Sequence, residues 1–148
     1  MTDLELHVVD GPDLTAADVY AIWQIRDLVF ACEQAITEPD VDGVDLRPDC
    51  THLWLADDRG ITSYLRTYVD AGHRKVGRVC TRRDQRGLRQ SGRLIAAVHE
   101  RWPDEEIHLG AQAYLEHWYG THGYVRTGPN YDDAGIDHVP MVRAAQTS

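Results

Sequence analysis

The chain has 148 residues, enough for one domain that buries its own core, and a single domain over residues 1–148 is expected. Its 43% apolar and 26% charged residues exclude disordered and fibrous classes. A net charge of −9 repels a phosphate backbone, which argues against nucleic acid as a partner.

The opening Met1-Thr2-Asp3-Leu4-Glu5 is acidic and lacks the basic and apolar regions of a secretory signal. No apolar run is long enough to cross a bilayer, so a cytoplasmic protein with no membrane partner is expected. Leu4 to Val9 reads as a strand ended by the turn Asp10-Gly11-Pro12. Thr15 then reads as an N-cap with Asp18 as its capping-box partner, opening a helix from Ala16 to about Cys32. Val19, Ile22, Trp23, Ile25, Leu28, Val29 and Phe30 cover most of its circumference, which predicts a largely buried helix with Gln24 and Asp27 on the wet side. Arg26 points away from those two. Glu33 returns to the face of Arg26 at about 100° per residue, so both charges are expected to look inward. Two readings are open: an ion pair with each other or with the acidic segment that follows, or a Glu33 that lines a substrate pocket.

That acidic segment carries Glu33, Glu38, Asp40, Asp42, Asp45 and Asp49 against Arg47 alone, and it reads as a solvated or substrate-facing loop. It lacks the remaining spacing and terminal Glu of a calcium loop. His52 to Ala56 and Ile61 to Tyr68 form a hairpin about Asp57-Asp58-Arg59-Gly60, and Lys75 to Thr81 is a further strand. The next helix shows a stripe at Ser91, Ile95, Val98 and Trp102 and closes at Pro103. Ile107 to Ala113 alternates as a strand, Tyr114 to His122 is a short helix ended by Gly123, and the tail to Arg143 suggests two closing strands. The whole is a mixed α/β sheet with few helices. Cys32, Cys50 and Cys80 are odd in number and in no C-x-x-C arrangement, against both a disulfide framework and a zinc knuckle. The eight histidines include no H-x-x-x-H pair, so no metal site is expected.

Chemistry concentrates between Val79 and Leu94. Arg82, Arg83, Arg86, Arg89 and Arg93 stand there against Asp84 alone, at a strand-to-helix turn. A phosphate cradle needs consecutive inward N–H groups, a residue able to take positive φ, and a small side chain where the ligand approaches. Gly87, Ser91 and Gly92 meet the second and third needs, and the arginines add charge-assisted bonds. The turn has neither the lysine and spacing of a P-loop nor G-x-G-x-x-G. A cationic turn and an acidic segment in one small domain suit an anionic cofactor and a cationic second substrate.

The run Val79 to Leu94 resembles the acyl-CoA signature of the GCN5-related N-acetyltransferase (GNAT) superfamily, with Arg86, Arg89 and Ser91 on the marked positions of Arg/Gln-x-x-Gly-x-Gly/Ala. Arg89 and Ser91 replace the small residues of that pattern. The segments Leu109-Gly110-Ala111-Gln112-Ala113, Trp118-Tyr119-x-x-x-Gly123-Tyr124, Tyr131-x-x-x-Gly135-Ile136-x-His138-x-x-Met141, Arg26-x-x-Val29-Phe30-x-x-Glu33-Gln34 and Asp40-x-Asp42-Gly43-x-Asp45-Leu46 resemble the ElaA-like branch. The resemblance implies one mixed, mostly antiparallel sheet of six to seven strands, splayed at the middle, with about four helices. It implies acetyl-CoA as co-substrate, an amine as its partner, and a tendency to form homodimers.

It further implies that the pyrophosphate sits on the N–H groups of Arg86, Gly87, Leu88, Arg89, Gln90, Ser91 and Gly92, and that the pantetheine arm runs along Val79, Cys80 and Thr81. Gln112 then stands near that arm and Tyr119 near the thioester sulfur. The reaction is attack of a neutral amine on the acyl carbonyl. It needs removal of an amine proton, polarisation of the carbonyl and protonation of the thiolate. Tyr119 is the candidate acid, an N–H near Val79 or Cys80 the polarising group, and Glu33 the first-choice base, with His52 and His138 as rivals. Arg26-x-x-Val29-Phe30 and the aspartates also resemble acyl-homoserine lactone synthases, and the altered positions Arg89 and Ser91 leave a non-catalytic acyl-CoA-binding domain as a further alternative.

Overall fold

In the computed structural model, which describes residues 4–146, the capping box at Thr15 is formed. The Thr15 hydroxyl accepts from the Asp18 N–H and the Asp18 carboxylate accepts from the Thr15 N–H, each at 3.0 Å. This starts α1 (Ala16–Arg26) behind the edge strand β1 (Leu6–Asp10). The hairpin β2 (Thr51–Asp57) and β3 (Gly60–Asp70) follows, then β4 (His73–Thr81), α2 (Gln90–Arg101), β5 (Ile107–Gln112), α3 (Glu116–Gly120), β6 (Val125–Arg126), β7 (Tyr131–Asp133) and β8 (Ile136–Arg143). One sheet runs in the order β1-β2-β3-β4-β5-β8-β6, with β7 paired to β8. All pairs are antiparallel except β4 with β5. The strand count is eight rather than six to seven because the tail breaks at Gly128-Pro129 and again at Ala134-Gly135. Among the described residues the sheet is flanked by three α-helices rather than about four, because the segment from Gln34 to Cys50 forms turns and bends and no further helix.

Alternation along β2 and β3 fills both faces. Leu53, Leu55 and Leu65 meet Leu94, Ile95 and Val98 of α2, while Trp54 and Tyr64 meet Ile22, Ile25 and Val29 on the other side. The first helix is less buried than its composition suggests. Trp23 and Leu28 are exposed, because α1 turns one apolar side to the sheet and another to an open cleft. From Asp27 the helix widens into a π-helical stretch, Asp27–Glu33. Its i→i+5 bonds reduce the rotation per residue, so Glu33 no longer returns to the face of Arg26. Arg26 is fully buried as expected, but Glu33 is turned outward, correcting the inward orientation read from α-helical spacing.

The strands β4 and β5 pair only at Arg74↔Ile107 and Lys75↔His108, then diverge. Two local features sit at the divergence. A β-bulge in β4 opposes Leu65 and places Arg78 at φ +54, which increases strand twist. In β5, Gly110 leaves room for the Tyr131 hydroxyl, which a Cβ at that position would strike.

At the start of α2, Gly87 has φ +77 and Arg89 has φ +61. The backbone at position 89 thus takes the left-handed form that glycine adopts freely, despite its arginine side chain. Arg89→Gly is expected to leave the urea midpoint unchanged or slightly raised, since about 1–2 kcal/mol of relieved strain offsets about 0.5–1 kcal/mol of glycine entropy. Arg89→Val is expected to lose roughly 1–2 kcal/mol, because a β-branched residue tolerates this region poorly.

Candidate functional site

The divergence of β4 and β5 opens a cleft of about 720 Å³. Its floor is Val76 to Val79 and Leu109, Gly110 and Gln112; α1 and the acidic segment form one wall, and α3 with the β7–β8 hairpin the other. Within it, the Gln112 side-chain amide donates to Gln34 Oε1 at 3.0 Å.

Tyr119 enters from α3, wedged edge-on between Trp118 and Tyr124 with centroids at 4.9 and 5.9 Å. It is 5% exposed and lines the cleft, and its hydroxyl has no protein partner among the described residues. Burial pushes its phenol well above the ordinary tyrosine range, so it stays protonated.

None of the backbone N–H groups from Arg86 to Gly92 donates to a protein acceptor among the described residues. They form an open donor row at the start of α2. The side chains of the same stretch serve differently. Gln90 is buried, accepting from the Thr62 hydroxyl at 2.5 Å and donating to Gln85 at 3.0 Å. Ser91 and Thr81 share a hydroxyl bond of 2.7 Å, which ties α2 to the end of β4. Gly92 faces the His122 ring, which would lie at ordinary contact distance, 3.4 Å, from a Cβ there. Leu88 and Arg89 are exposed. Val79 lines the cleft, whereas Cys80 points to the opposite face among Ile22, Ile25 and Tyr64, and burial raises its thiol far above the usual range.

Most of the arginine cluster is engaged. Arg82 pairs with Asp57 and Asp84, and Arg93 donates to the Leu4 carbonyl. Arg86 holds both carboxylate oxygens of Glu33, at 2.9 and 2.8 Å. Arg83 and Arg89 have no carboxylate partner among the described residues. Glu33 therefore sits beside the donor row and outside the residues that line the cleft.

The acidic segment is neither solvated nor open to substrate as a whole. Asp40 takes Arg26 at 2.8 Å and Arg78 at 2.9 Å; Asp45 takes Arg26 at 2.6 Å and Arg66 at 2.8 Å; Asp42 takes Arg66 at 2.5 Å. Burial pushes the Asp42 carboxyl up, but the Arg66 hydrogen bond and charge outweigh it and hold the group at about 2. The network fixes the segment as the cleft wall. It settles the reading of Arg26, whose partners lie in this segment.

Of the rival histidines, His52 is fully buried with both nitrogens engaged, one by the Tyr64 hydroxyl at 2.7 Å and one by the Asp45 carbonyl at 2.8 Å. Burial disfavours its charged form. His138 lines the cleft, and its Nδ1 lies 2.7 Å from the Ile136 carbonyl. A carbonyl only accepts, so Nδ1 carries the hydrogen and Nε2 keeps its lone pair toward other partners. Asp45, Cys50 and His52 lie close enough to share a metal, yet His52 and Asp45 are committed to protein partners and burial raises the Cys50 thiol to about 12. His73, Glu106 and His108 cluster at the paired start of β4 and β5, away from the cleft lining.

The cleft also contains side chains to which sequence reasoning assigned no place in the site. Tyr20 and Trp23 stand on one stripe of α1, and Tyr131 and Asp133 lie in the β7 hairpin. The available signal was the i, i+3 spacing of Tyr20 and Trp23 on a side of α1 distinct from Ile22 and Ile25.

The sequence profile of the acetyltransferase (GNAT) domain matches residues 44–145. The UPF0039 protein Rv2851c of Mycobacterium tuberculosis is 43% identical over 143 residues, covering 93% of this chain and 92% of that protein. Protein ElaA of Escherichia coli is 32% identical over 140 residues, covering 88% and 90%. Its crystal structure superposes with a TM-score of 0.88 over 95% of this chain and 99% of that chain. The crystal structure of an acyl-CoA N-acyltransferase from Pseudomonas aeruginosa superposes with a TM-score of 0.88 at 33% identity, covering 96% of this chain and 100% of that one. No helix among the described residues is long and apolar enough to cross a membrane. Profile, sequence and fold agree, and the chain belongs to the GNAT family of acyltransferases, in its ElaA-like branch.

Proposed function

We propose that the protein transfers acetyl from acetyl-CoA to a primary amine by direct attack. The observation that carries this reading is a cleft between unpaired strands with an open N–H row near one end and an unpartnered tyrosine hydroxyl in its wall. The diphosphate of acetyl-CoA takes the N–H groups of Arg86 to Gly92, with Arg83 and Arg89 as free cations nearby. The pantetheine arm pairs with the exposed edge of β4 beyond the bulge.

The amine nitrogen then attacks the thioester carbonyl, the new C–N bond forms and the C–S bond breaks. His138 Nε2 accepts the amine proton, its tautomer fixed by the Ile136 carbonyl. Tyr119 donates to the departing sulfur. With its phenol raised above the thiol range near ~8.5, full proton transfer is uphill, so Tyr119 acts first as a hydrogen-bond donor to the thiolate.

Glu33, the first-choice base from sequence, is given a different role because Arg86 holds its carboxylate outside the cleft. It occupies a guanidinium that would otherwise face the diphosphate. Glu33→Gln is expected to lower the acetyl-CoA KM by about three- to tenfold with kcat unchanged, as one repelling charge near the phosphates is worth about 1 kcal/mol. A fall in kcat of about 100-fold would instead identify Glu33 as the base. The proposal itself is tested by thiol release from acetyl-CoA against a panel of amines. Release that requires an added amine supports transfer; acetyl-CoA binding without release from any amine supports the non-catalytic alternative. Amide products formed only from longer acyl-CoAs support the lactone-synthase alternative.

A further inference from the structure

We infer that the acceptor is a primary ammonium carried on an aromatic body, of the arylalkylamine type; the inference rests on the acyltransferase reading above and narrows it. The cleft offers such a molecule two complementary features, and both follow from which side chains in its wall are already committed.

The first is charge. The cations lining the cleft are Arg26, Arg66, Lys75 and Arg78, and every one faces a carboxylate. Arg26, Arg66 and Arg78 share Asp40, Asp42 and Asp45, and Lys75 lies 3.9 Å from Asp70. Asp27, Glu38 and Asp133 also line the cleft, are exposed, and pair with no cation among the described residues. The uncompensated charge is therefore negative. An alkyl amine with a pKa near ~10 arrives as an ammonium, is attracted, and releases one proton to water before its neutral nitrogen attacks. An amino acid brings a carboxylate for which the cleft holds no uncommitted guanidinium, and the free carboxylates repel it.

The second is the aromatic surface. Tyr20, Trp23, Tyr114 and Tyr131 line the same cleft and are 73%, 45%, 77% and 40% exposed. Large rings left in water around one concavity mark a binding surface. Tyr20 and Trp23 are three residues apart on α1, so their rings share a stripe. Asp27 continues that stripe toward Leu28. Rings attract both a flat apolar body and a cation, while the carboxylates fix the ammonium. Tyr119, 5% exposed and unpartnered, is the independent mark that a ligand completes this cleft. About 720 Å³ accommodates a pantetheine arm and one small amine together.

The test uses the full chain and thiol release from acetyl-CoA with tryptamine, 2-phenylethylamine, hexylamine, spermidine and glutamate. The aromatic amines are expected to exceed hexylamine and spermidine in kcat/KM by about tenfold, the gain of one aromatic ring–ring contact. Glutamate is expected to give no release above background. Trp23→Ala, an exposed position, is expected to raise the tryptamine KM about three- to fivefold and the hexylamine KM by less, because only the aromatic amine loses a ring–ring contact as well as a cation–π contact. Higher kcat/KM for spermidine, hexylamine or glutamate than for the aromatic amines would overturn the inference while leaving the acyltransferase reading intact. Acetyl-CoA binding by calorimetry with no release from the aromatic amines would also overturn it. Absence of acetyl-CoA binding would overturn the underlying reading, and the two failures are thereby told apart.

Discussion

Tyr119→Phe is expected to lower kcat by about 100-fold while leaving the acetyl-CoA KM within about twofold. The substitution removes one oxygen from a ring held edge-on by Trp118 and Tyr124 and leaves that packing in place. Because the hydroxyl has no protein partner among the described residues, its loss strands no buried group and stability should be unchanged. Any effect is then chemical. Burial keeps the phenol protonated through the working pH range, so the donor is always loaded. The signature is a fall in kcat with an unchanged melting temperature. A parallel loss of acetyl-CoA affinity would mean that the ring only fills space.

Arg26→Ala is expected to be the most destabilising single change, at about 3–5 kcal/mol. Its guanidinium is fully buried and bonds Asp40 and Asp45, so truncation empties a buried site and leaves Asp45 with Arg66 and Asp40 with Arg78 as their remaining cations. That is a large share of the roughly 5–15 kcal/mol that holds a domain folded. The network has no donor or acceptor to spare, since Asp45 Oδ2 and Arg66 Nε are already buried without a partner among the described residues. The same network sets an acid limit. Asp42 titrates at about 2 in the fold against 3.8 unfolded, and Asp45 is likewise lowered, the arginine bonds outweighing burial in both. A depressed carboxyl contributes stability that is full above the unfolded value and is lost as pH falls through the folded one. Urea midpoints should therefore fall first between about pH 6.5 and pH 4, because burial disfavours the charged forms of His52, His122 and His99, the last held at about 4, and again from about pH 4 toward pH 2 as Asp42 and Asp45 take protons. In Arg26→Ala that acid slope should be shallower, because Asp45 then has one cation fewer.

What sequence could deliver depended on range. The capping box joins residues three apart, the β2–β3 hairpin is local, and the turn from Arg86 to Gly92 carries its own chemistry in consecutive residues; each is where it was expected. The charge network was not legible. It brings together α1, the acidic segment, β3 and β4, and nothing in Asp40 to Asp45 by itself separates a solvated loop from a buried clamp. Glu33 was misplaced because the π-helical stretch has no marker in Asp27 to Glu33, and the altered rotation moved it from the cleft to Arg86. Trp23 was assigned to the core for a similar reason. An apolar residue facing a cleft and one facing a sheet have the same hydropathy, and only the splay of β4 from β5 distinguishes them.

In the proposed complex the amides from Arg86 to Gly92 grip a diphosphate and so direct an acyl thioester into the splay. Amide NMR during titration with CoA tests it directly. The largest shifts are expected on Gly87 to Gly92, with a second group on Val76 to Val79 and Leu109 to Gln112. Saturation with CoA that leaves the amides of residues 86–92 unmoved, or that shifts residues remote from both strands, would contradict it.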